Sequence, residues 1–333
     1  MGSAAPPAGS AGVFWRRRAA AFALLFAALA LVAGVAIGAL NGGADETASG
    51  GGSEGDSGQG AGADSAQEVP APPVLPTGKR TIFPSHRVVA YYGNPAADEL
   101  GILGIGSPDA RARQLERQAK GYARKTRPVL PAFELISTIA NADPGENGLY
   151  RSRVPDRIIR RYLTAARKAK ALLLLDIQPG RSDFFEETTR LRKWLKEPDV
   201  GLALDPEWRV REGQVPGQVI GSVTAREVNA TTAWLDRLVR DENLPQKLVV
   251  IHQFTHDMIS DRADLKSREG LAITLNADGF GTQANKISKY KDFTRGPKVF
   301  KHGYKLFYDE DTDLMTPAEV MGMKPRPDFI VYE

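Results

Sequence analysis

Two hydrophobic patterns divide the chain. Ala19 to Leu40 is one unbroken apolar run, AAAFALLFAALALVAGVAIGAL, without a charged residue. At about 1.5 Å per residue, a helix of that length crosses a hydrocarbon core of about 30 Å. Arg16, Arg17 and Arg18 stand directly before it with Trp15. The positive-inside rule then predicts a cytoplasmic stretch at 1–18, a transmembrane helix at 19–40 and everything later outside the cell membrane. A cleavable signal peptide would carry a shorter apolar region, about 7–15 residues, and a small-residue cleavage site. A single-pass anchor is therefore expected. Residues 41–84 are rich in Gly, Ser and Pro, which cannot bury apolar area, and are expected to be a disordered linker.

From residue 85 to 333 the pattern changes to short apolar runs alternating with amphipathic stretches. Strands are predicted at Val88–Tyr92, Val129–Phe133, Leu172–Ile177, Gly201–Leu204, Leu248–His252, Leu271–Leu275, Tyr304–Tyr308 and Phe329–Tyr332. Several are apolar throughout, as strands buried on both faces must be. Ser107-Pro108-Asp109 opens a helix with a cap residue and Pro at its first position. Ile158, Ile159, Tyr162, Leu163 and Ala166 fall on one helical face, as do Phe184, Thr188, Leu191 and Leu195. Thr224-Ala-Arg-Glu227 and Thr316-Pro-Ala-Glu319 read as capping boxes. Eight strands separated by helices predict an α/β fold, a (β/α)8-type, TIM-like barrel preceded by the transmembrane helix and linker. The alternative is an open doubly wound sheet with a small second domain. That alternative loses its main support because neither G-x-G-x-x-G after the first strand nor G-x-x-x-x-G-K-[ST] occurs. Between Trp208 and Thr224, two β-prone pieces around Pro216-Gly217 predict a hairpin.

Composition narrows the chemistry. The chain has no cysteine, which excludes disulfides, thiolate metal sites and a catalytic thiol. A net charge of +4, scattered rather than clustered, gives no footprint for nucleic acid. No cofactor motif is present. His252 and His256 have metal-pair spacing only if both lie on a helix, and the first is at a strand end, so no metal site is expected. The acidic run Asp309–Asp313 lacks the glycine and terminal Glu of an EF-hand loop and is expected to be solvated. A monomer is expected.

In a barrel the site lies at the C-terminal strand ends. Those positions hold Tyr91, Tyr92 and Asn94, then Glu134, Asp176, and Asp205-Pro206-Glu207-Trp208. They continue with His252 and Gln253, then Asn276 and Asp278. On an extended chain Asp205 and Glu207 point the same way, and a second carboxylate nearby raises the pKa of one of them. That division of acid and base is what glycoside hydrolysis requires. Asp176 and Glu134 follow apolar strands and are candidate partners. Trp208, Tyr91 and Tyr92 offer faces for a sugar ring. Asn94, His252, Gln253, Asn276 and Asp278 are candidate substrate contacts.

The LALDPEW segment on this framework resembles the barrel glycoside hydrolases, here as a domain of a membrane-anchored bacterial surface protein. The chitinase-type D-x-x-D-x-D-x-E is not complete: only Asp205 and Glu207 match its last two acidic positions. The resemblance implies that Glu207 is the general acid and Asp205 its neighbour, while the expected anchor and linker, placing the domain outside the cell, point to a cell-envelope polysaccharide as the substrate. Two other functions compete: a non-catalytic glycan-binding or envelope-scaffolding barrel, and a metal-dependent hydrolase using Asp176, Asp205 and His252.

Overall fold

The computed structural model of the protein describes residues 71–295 and 300–333. The expected transmembrane helix and the linker up to residue 70 lie outside them. Among the described residues, no helix is long and apolar enough to cross a membrane.

Eight parallel strands form a closed barrel. They are β1 (Arg87–Gly93), β2 (Val129–Ala140), β3 (Leu172–Ile177), β4 (Val200–Leu204), β5 (Lys247–Gln253), β6 (Leu271–Ala277), β7 (Lys301–Leu306) and β8 (Phe329–Tyr332). Neighbours in sequence pair in space, and β1 closes the ring by pairing with both β2 and β8. The alternating pleat sends one set of side chains inward and the other toward the helices. Val88, Ala90, Ala132, Leu174, Ala203, Val250, Ala272 and Val331 fill the interior. The larger apolar cluster, including Val89, Phe133, Leu175, Leu204, Ile251 and Ile330, lies on the opposite face with helix residues such as Tyr162 and Leu235.

The helices are α1 (Pro108–Ala119), α2 (Asp156–Lys168), α3 (Phe184–Arg190), α4 (Arg192–Leu195), α5 (Ala225–Asp241), α6 (Gln283–Phe293) and α7 (Pro317–Gly322). Ser107 caps α1 by accepting from Ala110 N at 3.2 Å. Of the two expected capping boxes, only Thr316/Glu319 on α7 is reciprocal. At α5, Thr224 accepts from Glu227 N, but the Glu227 carboxylate turns away to Phe184 N and Arg209 Nε, both at 3.2 Å. No α-helix follows β5. Two 3-10 turns take its place, around the two-residue strand Ile259–Ser260, which pairs with Val223–Thr224.

Several expectations are corrected. Residues 71–84 are not all linker: Leu75 and Ile82 join the barrel's interior cluster. Arg80 ties this segment down, donating to Asn243 Oδ1 and Leu244 O, each at 2.9 Å. The region after Trp208 is a loop rather than a hairpin, with one isolated bridge between Pro216 and Val219. It returns over the turn Pro206–Trp208, where Gly221 N donates to Glu207 O at 2.6 Å and Ser222 N to Arg209 O at 2.9 Å. A Cβ on Gly221 would come within 2.5 Å of Arg209 O, so the approach needs glycine. The acidic run after β7 is not simply solvated. Asp311 is buried and accepts from Lys286 Nζ through both oxygens, at 2.8 and 2.7 Å.

Candidate active site

The interior of the barrel is apolar up to the C-terminal ends of the strands and polar there. Tyr92 of β1 stands in register with Glu134 of β2, and His252 of β5 with Asn276 of β6. Asp176 of β3 shares the inward parity of Leu174, and Lys305 of β7 stands in register with the inward Val331 of β8. Asp205, Asp278 and Glu333 follow directly after β4, β6 and β8.

A continuous set of contacts links these side chains. His252 lies between two carboxylates, Nε2 at 2.8 Å from Glu134 Oε1 and Nδ1 at 3.0 Å from Asp278 Oδ2. The amide nitrogen of Asn276 is 3.3 Å from the same Nδ1. The Tyr92 hydroxyl donates to Asp176 Oδ2 at 3.1 Å and accepts from Gln178 Nε2 at 3.1 Å. Lys305 Nζ pairs with Glu333 Oε2 at 2.6 Å and Asp278 Oδ2 at 3.4 Å, and lies 3.8 Å from the Tyr92 ring centroid. Glu134, Asp176, His252 and Asn276 are fully buried.

Burial governs the protonation states, and the charges then sort them. It pushes Asp176 up to about 7, with His252 and Lys305 pulling against it and Glu134 adding to it. It also holds Asp205 well above the carboxylate range, and Asp176 and Glu207 add to that shift. For His252 burial favours the neutral ring, but Glu134 and Asp278 outweigh it and hold the imidazole well above its ordinary value. Lys305 is raised in the same way: burial opposes its charge, and Asp278, Glu333 and Asp205 overcome that. Burial and the charge of Asp176 raise the Tyr92 hydroxyl well above the usual phenol range. The layer can therefore hold protons on some carboxyls while keeping an imidazolium and an ammonium beside the others.

The expected site residues divide by location. Glu134, Asp176, His252, Asn276, Asp278 and Tyr92 converge. Asp205 is within their electrostatic reach, and Glu207 within that of Asp205. The chain from 206 to 208 is a 3-10 turn, not an extension of the strand, so the i, i+2 argument for Asp205 and Glu207 fails. Both are buried nevertheless. Tyr91 faces away, packed edge-on against Tyr308 and Tyr332 on the helix side. Adjacent strand residues point to opposite faces, so Tyr91 and Tyr92 cannot both line the interior. Trp208 is only 6 % exposed, which leaves little open face for a ring to stack on. Asn94 braces the backbone, donating to Ile136 O at 2.6 Å and accepting from Ala96 N at 2.8 Å. Gln253 donates to Thr255 O at 3.1 Å and so shapes the loop after β5. His256 does not meet His252; it packs against Phe293.

Lys305, Glu333 and Gln178 belong to the layer and are not among the expected site residues. For Lys305 a signal existed, a single charge inside the otherwise apolar YKLFY run, because a buried lysine must be paired. The strand expected to end at Tyr308 ends at Leu306, so the inward charge at its C-terminal end is Lys305 rather than a residue past Tyr308.

No protein-family model matches the chain, and no curated protein matches its sequence. Among solved structures, the chain is similar to the apo form of the 3-keto-D-glucoside 4-epimerase from E. coli, at 12 % identity. The likeness covers 74 % of this chain and 91 % of that one, with a TM-score of 0.36. A likeness that distant carries nothing about activity, and the barrel and its polar layer stand on their own geometry.

Proposed function

We propose that the protein is a glycan-directed hydrolase, anchored through residues 19–40 and acting outside the membrane. One observation carries this reading. Side chains from all around the barrel converge at its C-terminal ends into a single layer of carboxyl, imidazole and ammonium groups. Structural needs alone do not call for so many buried ionisable groups, since apolar residues of similar volume would be at least as stable there. Perturbed ionisable groups gathered at this end of a (β/α)8 barrel are the usual mark of catalysis.

In this reading Glu207 protonates the leaving oxygen and Asp205 is its partner, as the resemblance implies. His252 and Lys305 supply fixed positive charge. A glycan fits because the anchor and linker hold the domain beside the cell envelope, where polysaccharide is the abundant polymer. The test is release of reducing ends from cell-wall and capsular polysaccharide by the full-length chain and its Glu207→Gln variant. Turnover by the wild type that the variant loses while still binding supports the assignment. Undiminished turnover by the variant removes Glu207 from the acid role. Binding without any turnover by the wild type replaces the hydrolase with a glycan-binding scaffold.

A further inference from the structure

We propose that Glu134, Asp176 and His252 form a binding site for one divalent transition-metal ion. The inference does not rest on the glycan reading and holds for any substrate. One oxygen of each carboxylate and a ring nitrogen of His252 lie within 4.8 Å of one another, all three residues being buried. Around a single ion with tetrahedral bonds of about 2.0–2.2 Å, donor atoms stand about 3.3–3.6 Å apart. A contraction of at most roughly 1.5 Å, within the reach of side-chain rotation, therefore closes the set.

Two independent features point to a ligand. Glu134 Oε2 and Asp176 Oδ1 are buried and have no hydrogen-bond partner among the described residues. A buried carboxylate oxygen needs a hydrogen bond, a counter-charge or a metal. Glu134 spends its other oxygen on His252, and Asp176 its other oxygen on Tyr92. The second feature is the back of the histidine. Asp278 Oδ2 lies 3.0 Å from Nδ1, and a carboxylate in that place holds the proton on Nδ1, so that an ion displacing the Nε2 proton now shared with Glu134 would meet a ring nitrogen already oriented toward the carboxylates. This carboxylate–histidine arrangement orients metal-ligating imidazoles generally.

Charge and rigidity agree with it. Glu134, Asp176, Asp205, Asp278 and Glu333 gather five carboxyl groups around the cationic Lys305 and His252, with Lys286 in electrostatic reach of Asp278, so a doubly charged ion would be favoured there. The ligands sit on β2, β3 and β5, where barrel packing fixes their spacing. One imidazole nitrogen and two carboxylate oxygens suit Mn2+ or Zn2+, and no thiolate is present to select a softer ion. Such an ion would supply a Lewis acid and an activated water at the barrel mouth.

The test is calorimetric titration of chelator-treated, full-length protein with MnCl2 and with ZnCl2. We expect saturable binding of one equivalent, weakened at least tenfold by Asp176→Asn or His252→Gln. Asp278→Asn should weaken it by about 10- to 100-fold. The exposed-residue variants His256→Gln and Asp313→Asn should leave it unchanged. Because the buried variants can fail to fold, the wild type is also loaded with Mn2+ and read by pulsed EPR. Coupling to one imidazole nitrogen supports the site. Absence of that coupling, absence of saturable binding, or loss of binding only in the surface variants overturns it.

Discussion

Lys305 Nζ lies 3.8 Å from the centroid of the Tyr92 ring, a contact across the barrel between β7 and β1. The same ammonium reaches Glu333 and Asp278, so one buried cation joins β7 to residues after β6 and β8 and to the ring on β1. Removing one partner of a buried ionic cluster leaves the others desolvated and uncompensated. Lys305→Met should therefore lower unfolding stability by about 3–5 kcal/mol. Lys193, exposed and paired with Asp156, is the comparison: Lys193→Met should change stability by less than about 1 kcal/mol. Urea unfolding of both variants checks the contrast. Equal effects would mean that the layer contributes no more than a surface pair.

The small residues inside the barrel set how closely the strands' side chains pack. Gly201 of β4 is one of them. A Cβ there would stand 2.5 Å from Leu248 O and 2.6 Å from Leu174 Cδ2. The leucine can rotate, but the carbonyl belongs to the β5 backbone and cannot. Gly201→Ala is expected to cost about 1–3 kcal/mol by overpacking, measured by thermal unfolding. A neutral result would show that β4 and β5 can separate.

Much of the barrel was legible because buried parallel strands write themselves as apolar runs. Leu172–Ile177 and Phe329–Tyr332 match the observed strands end for end. Glu134, Asp176 and His252 were legible for the same reason, each interrupting or ending an apolar run with a group that burial makes expensive. What stayed hidden was facing and distance. Tyr91 and Tyr92 look alike in sequence, and only the strand's phase decides that Tyr92 joins the layer while Tyr91 packs against the helices. The turn at Pro206–Trp208 hid the relation of Asp205 to Glu207, since a proline-led 3-10 turn breaks the period of two. Glu333 reaches Lys305 through the register of β7 against β8, where Glu333 N donates to Leu306 O at 2.9 Å, and no local pattern encodes that pairing.

Lys247 gives a pH prediction away from the layer. At the start of β5 it is buried, and its Nζ donates to Glu197 O and Val200 O, both at 2.8 Å. Burial lowers its pKa to about 7, against the pull of Asp199 and Glu197. The unfolded chain, with an ordinary lysine near 10.5, thus binds the proton more tightly than the folded one. Its contribution to stability is greatest above about pH 10.5, falls as pH falls, and levels off below about 7. Lys247→Met should remove this term. The stability difference, wild type minus variant, should rise between pH 7 and pH 10 in urea titrations. A flat difference across that window would show that Lys247 titrates as an ordinary lysine.

Glu227 links the helix start of α5 to the chain around the proposed acid. Its Oε1 accepts from Phe184 N, after β3, and from Arg209 Nε, just past Trp208. Arg209 is also where the loop returns, through Ser222 N to Arg209 O, beside Gly221 N to Glu207 O. Glu227→Ala removes both acceptor contacts but keeps the Thr224 cap, whose partner is the Glu227 backbone amide. The helix should therefore persist while the 209–222 loop opens more often. Hydrogen exchange at Gly221 and Ser222 should quicken about tenfold, the effect of roughly 1.4 kcal/mol on local opening, with the amides of β4 and β5 unchanged. Exchange that quickens throughout α5 instead would make Glu227 a stabiliser of the helix rather than of the loop over Glu207.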